Sequence, residues 1–500
     1  MVPPFLVAMA ILGHVQAQQR STLIDPPIRE FDQILNHDSD QTGKFSQRYQ
    51  LVTHYFKSGG PILFVQNAQQ EMSPIWTTDL IDYAPQLNAT VAILEHRYFG
   101  DKSGGSFPRN FNKRSTKNDT SDNSYAPLTL DNVLQDGVDF VNWIKQSIPG
   151  AEDSKVIYTG ASSYGGFLAV QARMRYPDTF TGAIASSPAL MSLGPMPENR
   201  LKFAAAGHLS KVYYNQSREA AQKIHENCHD ALPDLNICWK PNGTDYRLIY
   251  QATVQNYFET SQFNYPFVDR FPTEYPLDDL INKTLPAKTD GEVIRIPLLA
   301  SSWQQPNKCI DPSNRNITRA SSPKVTSPED YITCSYYAIN HRSIPSNNLL
   351  PEAYTRTSVD LCKNPEWEAS DYNSSNEYFT EKYALSHTNL DSMERLLIVH
   401  GEFDPIAAIG APILTEADSY NHSRVIIVNG TARAEDTFSE AVVPRGVRPG
   451  LDQIRDAKLA HLKEWLGVGN QTTPESAAPA FGRLTWMLVA GAAMASYRVV

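Results

Sequence analysis

The segment best equipped for chemistry is Gly160-Ala161-Ser162-Ser163-Tyr164-Gly165-Gly166, set between a strand-like run at 155–159 and a helix-forming run that begins at Tyr164. A reactive serine carried on a sharp strand-to-helix turn needs small residues two positions before and two after it, because larger side chains collide there. Ser163 meets that requirement with Ala161 and Gly165, whereas Ser162 would put Tyr164 in a small position. The spacing points to Ser163 as the nucleophile of acyl-transfer chemistry, with the Tyr164 N–H as one oxyanion donor and an N–H from the turn after 61–65 as the other. The competing reading is a Gly/Ser-rich turn ahead of a helix, and the strand-turn-helix context favours the elbow.

A serine nucleophile also needs a base that takes its proton and an acid that orients the base. The apolar run 396–400 leads into Gly401-Glu402-Phe403-Asp404-Pro405, which puts Asp404 after a late strand, where such an acid belongs. The next run, 424–428, opens into a loop at 429–436 from which a histidine would reach the serine, and that loop has none. Downstream of Asp404 only His422 and His461 occur, one ahead of its strand and the other inside the last helical pattern. His96 and His400 end strands at the same sheet edge, where the plainer reading is an imidazole hydrogen-bonded within the fold. The cysteine spacings match no zinc pattern, and acyl transfer through a serine runs without metal or organic cofactor, so neither is expected.

These residues need a scaffold that presents several strand ends at one edge. Nearly continuous apolar runs at 61–65, 90–94, 155–159, 182–185, 396–399 and 424–428 fit strands buried on both faces of a parallel sheet. Helical patterns lie between them: one capped by Thr129 and closed by Pro149-Gly150, one from Tyr164 to about Tyr176, and one over 451–466. The pattern predicts an α/β-hydrolase domain, mostly parallel with helices on both faces, in two parts at 18–194 and 386–470. Between them, 195–385 holds all five cysteines (Cys228, Cys238, Cys309, Cys334, Cys362) and no comparable strand series, and it reads as an inserted helix-rich cap. The polar stretch 102–124 reads as an exposed loop.

The chain has 500 residues, is 41% hydrophobic and carries a net charge of −10, which excludes a disordered chain and argues against nucleic acid as partner. Residues 1–17 have the layout of a signal peptide. Sequons at Asn88, Asn118, Asn215, Asn242, Asn282, Asn316, Asn373, Asn421, Asn429 and Asn470 point to a secreted glycoprotein. In an oxidising compartment the five cysteines predict up to two disulfides and one leftover thiol. Residues 471–500 resemble a glycolipid-anchor signal, with Ser476-Ala477-Ala478 ahead of a spacer and an apolar tail, although Arg498 sits in that tail. The expected location is extracellular, with cell-surface anchoring or a vacuole or lysosome as the alternatives.

Four motifs carry a family resemblance: Glu95-His96-Arg97-Tyr98-Phe99-Gly100, Ser163-Tyr164-Gly165-Gly166, the helix end at 173–177, and Gly401-Glu402-Phe403-Asp404-Pro405. Together they resemble the serine peptidase family of prolyl carboxypeptidase and dipeptidyl peptidase II, in matching order from about residue 54 to 465. The resemblance implies a secreted or lysosomal peptidase that cleaves near proline, often at acid pH, with a peptide held in a groove under the cap. It also implies Ser163 as nucleophile and Asp404 as acid.

The departures from the family pattern converge on one site. Where the family has its catalytic histidine shortly before an aspartate, this chain has Arg433-Ala434 before Asp436. Arginine cannot take the serine proton, because it is never deprotonated in proteins. Ile406 stands where the family's tryptophan follows Asp-Pro, and Asn67-Ala68-Gln69 replaces a Gly-Asn-Glu-type turn. A glycan at Asn429 would sit at the root of the altered loop, and Ala434 stands where some relatives carry a cysteine. The sequence favours impaired or absent catalysis. The alternatives are an active exo- or dipeptidyl peptidase with an unforeseen base, a non-catalytic surface binding protein, and an esterase or lipase, which leaves the 95–100 motif unexplained.

Overall fold

The computed structural model describes residues 26–39, 43–100, 105–107, 125–190, 260–269, 271–284, 328–335, 392–404, 406–407 and 423–468, with single positions at 286, 289, 292, 296, 382–383 and 390. Eight strands form one sheet: β1 (Arg29–Ile34), β2 (Lys44–Val52), β3 (Ile62–Gln66), β4 (Thr90–Leu94), β5 (Val156–Ser163), β6 (Gly182–Pro188), β7 (Leu396–Gly401) and β8 (Ser423–Val428). Their spatial order is β1-β2-β4-β3-β5-β6-β7-β8. The β1–β2 and β2–β4 pairs are antiparallel and all others are parallel. This is the α/β-hydrolase fold.

The parallel strands come from the apolar runs because helices cover both faces of the sheet. On one face, α2 (Leu130–Ser147) and α3 (Tyr164–Arg175) pack Phe140, Ile144 and Phe167 against Phe64 and Tyr158. On the other, α1 (Leu80–Leu87) and α6 (Pro449–Leu466) bring Leu80, Leu451 and Leu462 against Leu63, Ile93 and Leu397. Thr129 caps α2 as its sequence signals, accepting a 3.1 Å bond from the Asn132 N–H.

The two antiparallel strands lie outside the sequence expectation. The inward positions of β2 include Gln47 as well as Phe45 and Tyr49, so its apolar alternation is broken. Gln47 is tolerated in the core because its amide donates to the Glu95 carbonyl at 2.7 Å. The 102–124 stretch needs a correction too. Ser106 within it is fully buried and donates to the Glu95 carboxylate, so at least this part of the segment is not an exposed loop.

Of the predicted cap, the described residues include α4 (Pro276–Thr284), α5 (Pro328–Ser335) and the segment 260–269. Four of the cysteines lie outside the described residues, as do 1–25 and 469–500. Among the described residues no helix is long and apolar enough to cross a membrane.

Candidate active site

Ser163 ends β5 and precedes α3 with φ 49° and ψ −91°, a left-handed backbone that costs a non-glycine residue about 1–3 kcal/mol. The turn is tight enough that a Cβ at residue 160 would lie 2.0 Å from the Gly165 carbonyl oxygen, so only glycine fits there. A Cβ at residue 165 would lie 3.2 Å from the Ala68 side chain, which puts the turn after β3 beside the start of α3. Within that turn the Asn67 N–H already donates to the Leu94 carbonyl at 2.9 Å, so a second oxyanion donor has to come from beyond it. Tyr164, as the first residue of α3, occupies the position where backbone N–H groups lack an intrahelical acceptor.

Asp404 follows β7 and is buried. Its turn is held from below: a Cβ at residue 401 would lie 2.2 Å from the Ala432 carbonyl oxygen, and the Phe403 N–H donates to the Thr431 carbonyl at 3.0 Å. One Asp404 oxygen accepts the Ile406 N–H at 2.9 Å, and the other is 3.3 Å from Nδ1 of His400. Among the described residues the buried Nε2 of His400 has no hydrogen-bond partner. Ile406, in the tryptophan position, is buried in the apolar core.

Arg433 lies in the loop after β8. Its Nη2 donates to Ser163 Oγ at 2.7 Å, and its Nη1 donates to the Gln262 side-chain oxygen. The backbone is fixed by Gln262 and Tyr265: the Arg433 N–H donates to the Gln262 carbonyl at 3.1 Å, and the Tyr265 hydroxyl donates to the Arg433 carbonyl at 2.8 Å. The loop itself rests on buried charge. Lys458 of α6 lies 2.5 Å from Asp436 and 3.1 Å from Asp79, and Ser186 donates to Asp436 at 2.6 Å. Burial alone would lower the Lys458 pKa, but the two carboxylates outweigh it and hold the ammonium charged. Ser187 accepts the Ala434 N–H at 2.8 Å, with Ala434 at φ 52°. Next to it, Glu435 accepts the Ala432 N–H and faces Arg448 at 2.8 Å, while burial pushes its pKa up to about 7.

His96 is not available as a base. Its Nδ1 is 2.7 Å from the Arg97 carbonyl, its Nε2 is 3.1 Å from the Tyr164 hydroxyl, and burial pushes its pKa down to about 4. The rest of the 95–100 motif is a charge-paired platform: Glu95 binds Arg48 at 2.8 and 2.7 Å, and Arg97 binds Asp136 at 2.7 and 2.5 Å. His461 lies in α6, with Nδ1 3.8 Å from Glu464, and His422 is outside the described residues.

Ser163, Tyr164 and Arg433 therefore meet, while Asp404 turns to His400 instead of to the residue that touches the serine. Sequence reasoning missed Gln262 and Tyr265, which no local motif marks and which act from about 170 positions before Arg433 in the chain. Of the sequons, Asn282 and Asn429 are exposed, Asn88 is half-buried at the end of α1, and the other seven lie outside the described residues.

The profile of the family described as Serine carboxypeptidase S28 matches residues 32–194. The chain is similar to Lysosomal Pro-X carboxypeptidase of Homo sapiens, 24% identical over 479 residues and covering 87% of each chain. It is also similar to Serine protease vicPb of Bipolaris victoriae, 22% identical over 494 residues, covering 87% of this chain and 88% of the relative. Lysosomal Pro-X carboxypeptidase of Pongo abelii is 37% identical over 479 residues, again covering 87% of each chain. With that identity over that span, the chain belongs to the prolyl carboxypeptidase family of serine peptidases.

Proposed function

We propose that this family member has lost, or nearly lost, the ability to hydrolyse peptides near proline, and that its fold holds a peptide under the cap. One contact carries the reading: the Arg433 guanidinium donates to Ser163 Oγ at 2.7 Å. In a working site a histidine there accepts the serine proton, an aspartate orients the imidazole, and backbone N–H groups hold the oxyanion. A guanidinium is always protonated, so it leaves the hydroxyl proton in place and occupies the lone pair that would attack. Removal of a triad member lowers turnover by up to about a millionfold and leaves about 10³ to 10⁴ over water, so trace activity is compatible with this reading.

Labelling with a fluorophosphonate tests it. The parent should stay unlabelled, and Arg433→His should gain labelling at least about a hundredfold, in the range a positioned base contributes. A second reading has its own observation, since His400 contacts Asp404 and has an unpartnered Nε2. If His400 serves as the base, the parent labels rapidly and His400→Gln abolishes it.

Relatives include a Lysosomal Pro-X carboxypeptidase and a Probable extracellular serine carboxypeptidase, which supports passage through the secretory pathway. The exposure of Asn282 and Asn429 supports glycans there. Secretion as a glycoprotein, or anchoring through a glycolipid exchanged for the 471–500 tail, would follow. Release from cells by a phosphatidylinositol-specific phospholipase separates the two.

A further inference from the structure

The substitution at 433 exchanges a group that is neutral for much of its working range for a permanent cation. The acidic side chains of the two turns that flank it, Asp404, Glu435 and Asp436, have partners of their own. Asp404 binds the Ile406 N–H and His400, Glu435 binds the Ala432 N–H and faces Arg448, and Asp436 binds Lys458 and Ser186. Among the described residues, the Arg433 side chain has neutral partners, Ser163 Oγ and the Gln262 side chain, and its buried Nε makes no hydrogen bond. A half-buried guanidinium without a counter-ion is costly, and an anion that reaches it is stabilised.

The surroundings select the kind of anion. Ser163 Oγ accepts from Arg433, so its own proton points elsewhere and can be donated. The start of α3, a twelve-residue helix, adds a positively polarised end at the same point. A scissile carbonyl would lie here in a working peptidase. A peptide's C-terminal carboxylate presents that carbonyl carbon with a second oxygen and a negative charge, which a guanidinium N–H binds through a charge-assisted hydrogen bond.

Resting on the reading of Ser163 as inert, we propose that Arg433 and Ser163 form a receptor for the C-terminal carboxylate of a peptide. One carboxylate oxygen takes the guanidinium and the other takes the Ser163 hydroxyl and the start of α3. The ligand is retained uncleaved.

The test uses the full mature chain, immobilised, and a pool of N-acetyl tripeptides with proline in the middle and no Asp or Glu. The pool is supplied as free acids and as isotope-labelled C-terminal amides, and retained peptides are read by mass spectrometry. The expected result is retention of acids at least about tenfold over amides, as a charge-assisted pair supplies. Arg433→Gln should lose the preference while unfolding at the same temperature as the parent or higher. Equal retention of acids and amides, retention of neither, a preference that survives Arg433→Gln, or full displacement by equimolar inorganic phosphate overturns the carboxylate receptor. Recovery of shortened peptides overturns the inert serine instead, which keeps the two failures apart.

Discussion

At the scale of single residues, two cations near the site have opposite surroundings, and stability should register the difference. Among the described residues Arg433 has neutral partners and no counter-ion, so Arg433→Gln should leave the ligand-free protein as stable as the parent or more so in a thermal melt. Lys458 sits between Asp79 and Asp436, all three fully or nearly buried. Lys458→Met leaves two carboxylates without their cation and should cost about 3–5 kcal/mol in denaturant unfolding. Both positions were open to sequence reasoning to different degrees. Arg433 stood out because a loop that should carry a histidine has none, whereas Lys458 looks like any solvent-facing lysine of an amphipathic helix.

At the scale of elements, the elbow is the most demanding piece of backbone. Gly160→Ala places a Cβ 2.0 Å from the Gly165 carbonyl and should cost at least about 3 kcal/mol or prevent folding, while Thr129→Ala, which only uncaps α2, should cost about 1 kcal/mol. Denaturation midpoints of the two variants check the order. The parallel strands, α2, α3 and α6 were legible because each is an unbroken apolar run or a capped helical period. β1 and β2 were not, because buried glutamines such as Gln33 and Gln47 replace apolar residues on the inward face. Their amides pair with each other at 3.0 Å, a tertiary contact that no local pattern announces. The positions of Ser163 and Asp404 at the ends of β5 and β7 were legible from the turns that follow those runs. The contact of His400 with Asp404 was not, since it depends on how the end of β7 turns back on itself.

At the scale of the whole molecule, the buried charges should tie stability to acidity. Burial raises Glu435 to about 7 and Asp82 to about 6, above their unfolded values, so both favour the fold at low pH and that contribution is lost as pH rises through the interval from the ordinary carboxylate range to about 7. His96, held down near 4, acts in the opposite sense: its contribution is full above its unfolded pKa and lost as pH falls toward 4. Glu435→Gln should therefore flatten the decline in thermal stability between about pH 5 and 7, and an unchanged slope would mean that Glu435 stays ionised in the fold. The same window separates a histidine-dependent serine from an arginine-blocked one, because an imidazole changes protonation within it and a guanidinium does not. The measurement is fluorophosphonate labelling of the purified protein from about pH 4 to 8, beside Ser163→Ala and Arg433→His. A serine blocked by Arg433 should leave the parent unlabelled at every pH, and Arg433→His should gain labelling that grows as the imidazole loses its proton. Rapid labelling of the parent that Ser163→Ala abolishes would contradict it.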